Sequence, residues 1–120
     1  MDISKAIAEL KKEPGFADNV GMILIHNGVV RGWSRKDKTP VSAVEVHPDH
    51  ARISELVQEY QSRPGIWRII AKANEGRLST GDDLLFIIVA GDIRENVKPV
   101  LSEILDRIKS EAVVKTEVFA

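Results

Sequence analysis

The run LLFIIVA, residues 84–90, carries no polar side chain and lies between Asp83 and Gly91. It is far short of the ~20 apolar residues needed to cross a bilayer. Its side chains must therefore be covered by the protein itself, and the run reads as a strand buried on both faces. A second run, VGMILI at residues 20–25, has the same character and opens a strand over Gly21–Val30. A fold for this chain has to hide these two strands.

The chain of 120 residues suits one domain, 1–120, with one core. Its net charge of -1 gives no overall attraction to nucleic acid or to a membrane surface, so neither is expected as a partner and any anion site has to be local. There is no cysteine, which excludes disulfides, thiolate chemistry and cysteine-ligated metals. The N-terminus MDISKAIAELKKE is charged throughout, unlike a signal peptide, and a cytoplasmic location is expected.

Ile3, Ile7 and Leu10 recur at helical spacing and predict a short helix over Ser4–Lys12, stopped by EPGFADN. Val41–Val46 alternates like a half-exposed strand. Asp49 is a candidate N-cap for a helix whose apolar face is Ile53, Leu56, Val57 and Tyr60. Ile66–Ala73 reads as a strand and NEGRLSTGDD as a turn-rich connection into the 84–90 strand. Asp92 is the expected cap of a long helix from Ile93 to Ile108 or Lys109, which Pro99 should kink or start late. Ala112–Phe119 completes the chain as a strand. From Val41 onward the order is β-α-β-β-α-β, a ferredoxin-like core with an added N-terminal helix and strand, and the class is α+β.

Positive charge gathers where the first strand ends, in HNGVVRGWSRKDK. GVVRG follows that strand, HPDHA enters the first long helix, and EGRLSTGDD joins two strands with Gly76, Leu78, Gly81 and Asp82 in order. Arg94 opens the last helix, and Lys109 and Lys115 flank its end. This succession, from about Val20 to Lys115, resembles the large, catalytic subunit of molybdopterin synthase. The resemblance implies an α/β hammerhead fold and a sulfurtransferase reaction of molybdenum cofactor biosynthesis. Sulfur from the C-terminal Gly-Gly thiocarboxylate of a small ubiquitin-like subunit passes to cyclic pyranopterin monophosphate, giving molybdopterin. It also implies a homodimer carrying one small subunit at each end, a heterotetramer, and no cofactor or metal.

Carried over by motif, Arg31, Arg94 and Lys109 are the anion-binding residues, and Lys109 and Lys115 the catalytic ones. Both reactants are anionic, so convergent cations would hold them and stabilise developing charge. A lysine crowded by cations loses basicity and becomes able to act as acid, base or nucleophile. The chain departs from the family at Ile93, where the pattern has His, and the spacer SEAVV is one residue shorter than usual. A dimeric binding or regulatory module without turnover is the competing reading. A third is a ligand-binding oligomer of the same fold, in which the cations would not converge. Arg35, Lys36 and Lys38 read first as a soluble loop, Trp33 as a packing or interface residue, and Trp67 as core. Gly28, Gly76 and Gly81 read as backbone devices. His47 and His50 stand three apart without a third metal ligand. The dimer contact is expected near Val113, Val114, Val118 and Phe119, on a strand with an exposed edge.

Overall fold

The computed structural model describes residues 2–120. Helix α1 (Ile3–Lys11) starts at Asp2, whose side chain accepts from the Lys5 N–H at 3.1 Å. The segment that stops it contains a single further turn, α2 (Phe16–Asn19). Then follow β1 (Met22–Val29), β2 (Val41–Pro48), α3 (His50–Gln61), β3 (Ile66–Ala73), β4 (Gly76–Ser79), β5 (Asp83–Gly91), α4 (Arg94–Glu111) and β6 (Val113–Phe119). No described helix is long and apolar enough to cross a membrane.

The α+β class and the element order after Val41 hold. The strands, however, are divided between two antiparallel sheets with orders β1-β5-β3 and β4-β2-β6. β1 pairs along the whole of β5, from Met22–Gly91 to Val29–Asp83, and so takes the edge beside which another strand of a single sheet would lie. β2 instead pairs with β6 and with β4, a strand hidden in what the sequence presents as a turn-rich connection.

β5 is covered from both sides. Leu85, Ile87 and Val89 enter a core with Ile53, Leu56 and Tyr60 of α3 and Val97, Val100, Ile104 and Ile108 of α4. Phe86, Ile88 and Ala90 point the other way, onto Leu10 and the apolar face of α1, where Trp67 packs edge-on against Phe16 at 5.7 Å. A third cluster, Val30, Val41, Val44 and Val46, joins the second sheet to the first through Leu84 and Val113. The molecule is accordingly elongated, 49 × 25 × 24 Å.

Asp49 caps α3 as expected, accepting from the Arg52 N–H at 3.0 Å. Asp92 does not cap α4. The N-cap is Ile93, and the Asp92 carboxylate, one residue earlier, accepts from the Ile93 N–H at 2.6 Å and from the Asn96 side-chain amide at 2.9 Å. Pro99 neither delays nor ends α4, which runs unbroken through it. α3 and α4 are tied on their outer faces by Arg52 and Arg107, which share Glu111, and by Arg107 with Glu59. The two arginines hold the Glu111 carboxyl down to about 2.

The passage from the second sheet back to the first positions the end of β1. Gly81 has φ +93, donates to the Val30 carbonyl at 2.9 Å, and is followed by Asp82, whose carbonyl accepts from the Val30 N–H at 2.9 Å. A Cβ on Gly81 would meet nothing within 4 Å, so any cost of a side chain there is conformational and not steric crowding. Gly81→Ala is expected to lower stability by about 1–2 kcal/mol, with Gly81→Asn losing less because Asn tolerates left-handed backbone. Urea unfolding of the three proteins measures this; equal midpoints would show that the turn relaxes.

Candidate functional site

At the end of α4 remote from its N-cap, the two sheets diverge and leave a cavity of about 470 Å³. That lies within the size range of small-molecule sites. Its apolar floor is Val44, Leu84, Leu85 and Val113. β1 contributes His26, Gly28 and Val29, and the connection after β1 contributes Arg31, Trp33, Ser34, Arg35 and Lys36. Lys109 enters from the last turn of α4, where its charge complements the carbonyl end of the helix. Lys115 and Glu117 follow Val113 at every second residue along β6, and thus share one face of that strand.

The arrangement brings together Arg31, Lys109 and Lys115, as the sequence motifs imply. It also adds Arg35 and Lys36, which the sequence presents as a soluble loop. It does not bring in Arg94. α4 sets Arg94 and Lys109 at opposite ends, roughly 22 Å apart at ~1.5 Å per residue. The Arg94 side chain is 78% exposed and meets only its neighbour Glu95, at 3.8 Å. Convergence of all three cations therefore does not occur within one chain. His50 pairs with Glu75 at 3.3 Å and has no part in the cavity.

The pairing of arginines separates this cavity from the rest of the surface. Arg52, Arg63, Arg68, Arg77, Arg94 and Arg107 each face a carboxylate. Among the described residues, Arg31 and Arg35 are the arginines without such a partner, and both line the cavity. Glu117, the one acidic group in the lining, accepts from the Ser34 hydroxyl at 3.2 Å. Ser34 is buried, and its backbone N–H donates to the Thr39 carbonyl at 2.8 Å. The cation-bearing loop is thereby closed on itself and fastened to β6.

Crowded cations destabilise one another's charge. The Lys115 ammonium is pushed below its ordinary range by partial burial, then by Arg31 and Lys109, with Glu117 opposing them. His26 is lowered too, by burial and then by Lys109, which favours a neutral imidazole. Its Nε2 is buried without a hydrogen-bond partner, close to where a side chain on Gly28 would stand. His26, Ser34 and Glu117 escape a motif-based reading. The signal present was alternation: His26 and Gly28 lie two apart on β1, and Lys115 and Glu117 two apart on β6.

The family model described as MoaE protein matches residues 1–111. Among curated proteins, no sequence matches the chain. Molybdopterin synthase from Staphylococcus aureus superposes with a TM-score of 0.80 at 17% identity, over 100% of this chain and 86% of that one. Molybdopterin cofactor biosynthesis protein E from Burkholderia multivorans gives 0.76 at 19% identity, over 100% and 85%. A complex of subunits 1 and 2 of molybdopterin-converting factor from Helicobacter pylori gives 0.71 at 14% identity, over 98% and 80%. At these identities the likeness is one of fold.

The crowding of Lys115 is open to direct measurement. Its Nζ titration, followed by NMR, should fall below the ordinary 10.5 in the parent protein and move upward in Arg31→Ala, where the largest charge contribution is gone. An unchanged midpoint in the variant would separate Arg31 from Lys115 electrostatically.

Proposed function

The chain belongs to the MoaE protein family, and we propose from that premise that it is the large subunit of a molybdopterin synthase, acting in molybdenum cofactor biosynthesis. The reaction is sulfur transfer from the C-terminal thiocarboxylate of a small ubiquitin-like subunit to cyclic pyranopterin monophosphate. The observation that carries this reading is that Arg31 and Arg35, the arginines without carboxylate partners among the described residues, line one cavity together with Lys109 and Lys115, while the arginines elsewhere are paired. An unpaired guanidinium in a concave site is prepared for an anionic ligand, and both reactants of this transfer are anions. A cavity with its cations free favours turnover over a binding module that has lost its chemistry.

The roles follow from the environments. Arg31, with a planar fork of donors, takes the phosphate or the thiocarboxylate end. Lys115, the lysine with lowered proton affinity, serves as acid and base. Lys109, at the carbonyl end of α4, stands beside it as the positive charge for a developing oxyanion or as a covalent partner. Arg94 belongs to the same chemistry through a second copy of the chain, whose α4 N-terminus would approach this cavity in a homodimer. The edge strand β6, with Val114 64% exposed on one face and Phe119 55% exposed at its end, offers the apolar surface available for association. Val113 turns inward to the cavity and is not part of that surface.

Lys109→Ala should reduce conversion of cyclic pyranopterin monophosphate by roughly 10²–10³, the loss expected for a group that stabilises a developing oxyanion, with thiocarboxylated small subunit as donor. Folding should be little affected, because a helix-end charge contributes only about 0.3–1 kcal/mol. Equal rates would remove Lys109 from the mechanism. If Ile93 limits the rate for want of an imidazole, Ile93→His should accelerate the same reaction; an unchanged or lower rate would dismiss that explanation.

Light scattering should give twice the chain mass of 13.3 kDa. Mixing Lys109→Ala with Arg94→Ala subunits should then restore part of the activity that each lacks alone, since every mixed dimer holds one intact site. A monomer mass, or no recovery on mixing, would rule out a site shared between subunits.

A further inference from the structure

Trp33 remains without a role in the reading given so far. It belongs to none of the buried clusters, is 45% exposed, and lines the cation cavity. Trp67, the other indole, is packed against Phe16 in the core. An apolar surface as large as an indole is costly to leave in water, and the backbone around Trp33 is held in place. Trp33 bridges to Pro40, Ser34 donates to Thr39 at 2.8 Å, Lys38 donates to Ser34 at 2.8 Å, and Val41 donates to Gly32 at 3.0 Å. The ring is therefore presented from a closed loop, and little ordering is needed for a ligand to use it.

Its immediate neighbour is the Arg31 guanidinium, 4.7 Å from the ring centroid. A guanidinium laid over an indole keeps its N–H edge free for an anion. Arg31 has no carboxylate partner among the described residues, so that edge is uncommitted. One wall of the cavity thus offers, side by side, a flat aromatic surface and a fork for a phosphate.

We propose that Trp33 is a ring-recognition residue of this cavity, stacking on the flat heterocycle of a phosphorylated ligand whose phosphate Arg31 holds. The proposal rests on the anion-binding reading of the site and adds a specificity residue to it: the phosphorylated heterocycle already assigned is selected by its ring, through Trp33, as well as by its charge. Stacking of a heterocycle on an aromatic side chain corresponds to roughly a ten- to hundredfold gain in affinity.

Calorimetry on the full chain with a pterin monophosphate, guanosine 5′-monophosphate and ribose 5-phosphate tests this. The two ring-bearing ligands should bind the parent protein about ten- to a hundredfold more tightly than ribose 5-phosphate. Trp33→Ala should abolish that preference while leaving ribose 5-phosphate affinity within a few-fold, and Trp33→Phe should keep most of the preference. Equal affinities for all three ligands in the parent protein would overturn the stacking role and leave the anion cavity standing. A preference that survives Trp33→Ala would do the same, whether or not that variant loses self-association or the small subunit. Absence of binding by any of the three would overturn both the stacking role and the anion-site reading beneath it.

Discussion

Burial of β5 on both faces is the condition on which the remaining architecture depends. A strand with no polar side chain between Asp83 and Gly91 has to be enclosed. One face takes α3 and α4 and the other takes α1, so three helices in different parts of the chain are committed by one segment. β1 and β3 satisfy its backbone edges. Once α4 is laid along β5, its last turn is fixed at the seam with the second sheet, and that is where Lys109 emerges. The position of the cavity is thus a consequence of covering an apolar strand.

The cavity works against the stability that this core provides. Elsewhere the surface pairs its arginines, and the α3–α4 face does so with shared carboxylates. Around the cavity the like charges of Arg31, Arg35, Lys36, Lys109 and Lys115 face one another with only Glu117 among them. Repulsion of this kind is tolerable because each cation sits on a separately stabilised element: a strand end, a closed loop, a helix end and a second strand. It is useful because it lowers the proton affinity of a lysine and leaves donors free.

Most element positions were legible in the sequence because they follow from local periodicity and caps. β3 has the predicted bounds, β1 and β5 lie within a residue or two of them, and Asp49 caps α3. The division into two sheets was not legible, since which strand lies beside β5 depends on contacts between distant segments. β4 was hidden because its four residues begin on a positive-φ glycine, Gly76, end two before another, Gly81, and carry turn-like composition. The Asp92 cap failed by one residue, because Asn96 offers its carboxylate a second donor and extended backbone at Ile93 takes the cap position. At the site, motif order pointed to Arg31, Lys109 and Lys115. The separation of Arg94 from Lys109 was available from helix length alone, whereas His26 and Glu117 required knowing which face of each strand turns inward.

The alternation of β6 has a consequence for how this protein can change over evolutionary time. Val113, Lys115 and Glu117 face the cavity, while Val114, on the opposite face, remains open on the outside. Adding or removing one residue ahead of Lys115 would exchange the two faces, turning Lys115 and Glu117 outward and Val114 inward. Length drift in this segment must therefore come in pairs, or be absorbed before the strand begins. The last turn of α4, immediately upstream, is where a single-residue indel could be tolerated, and the strand behind it acts as a reading frame that lineages have to respect.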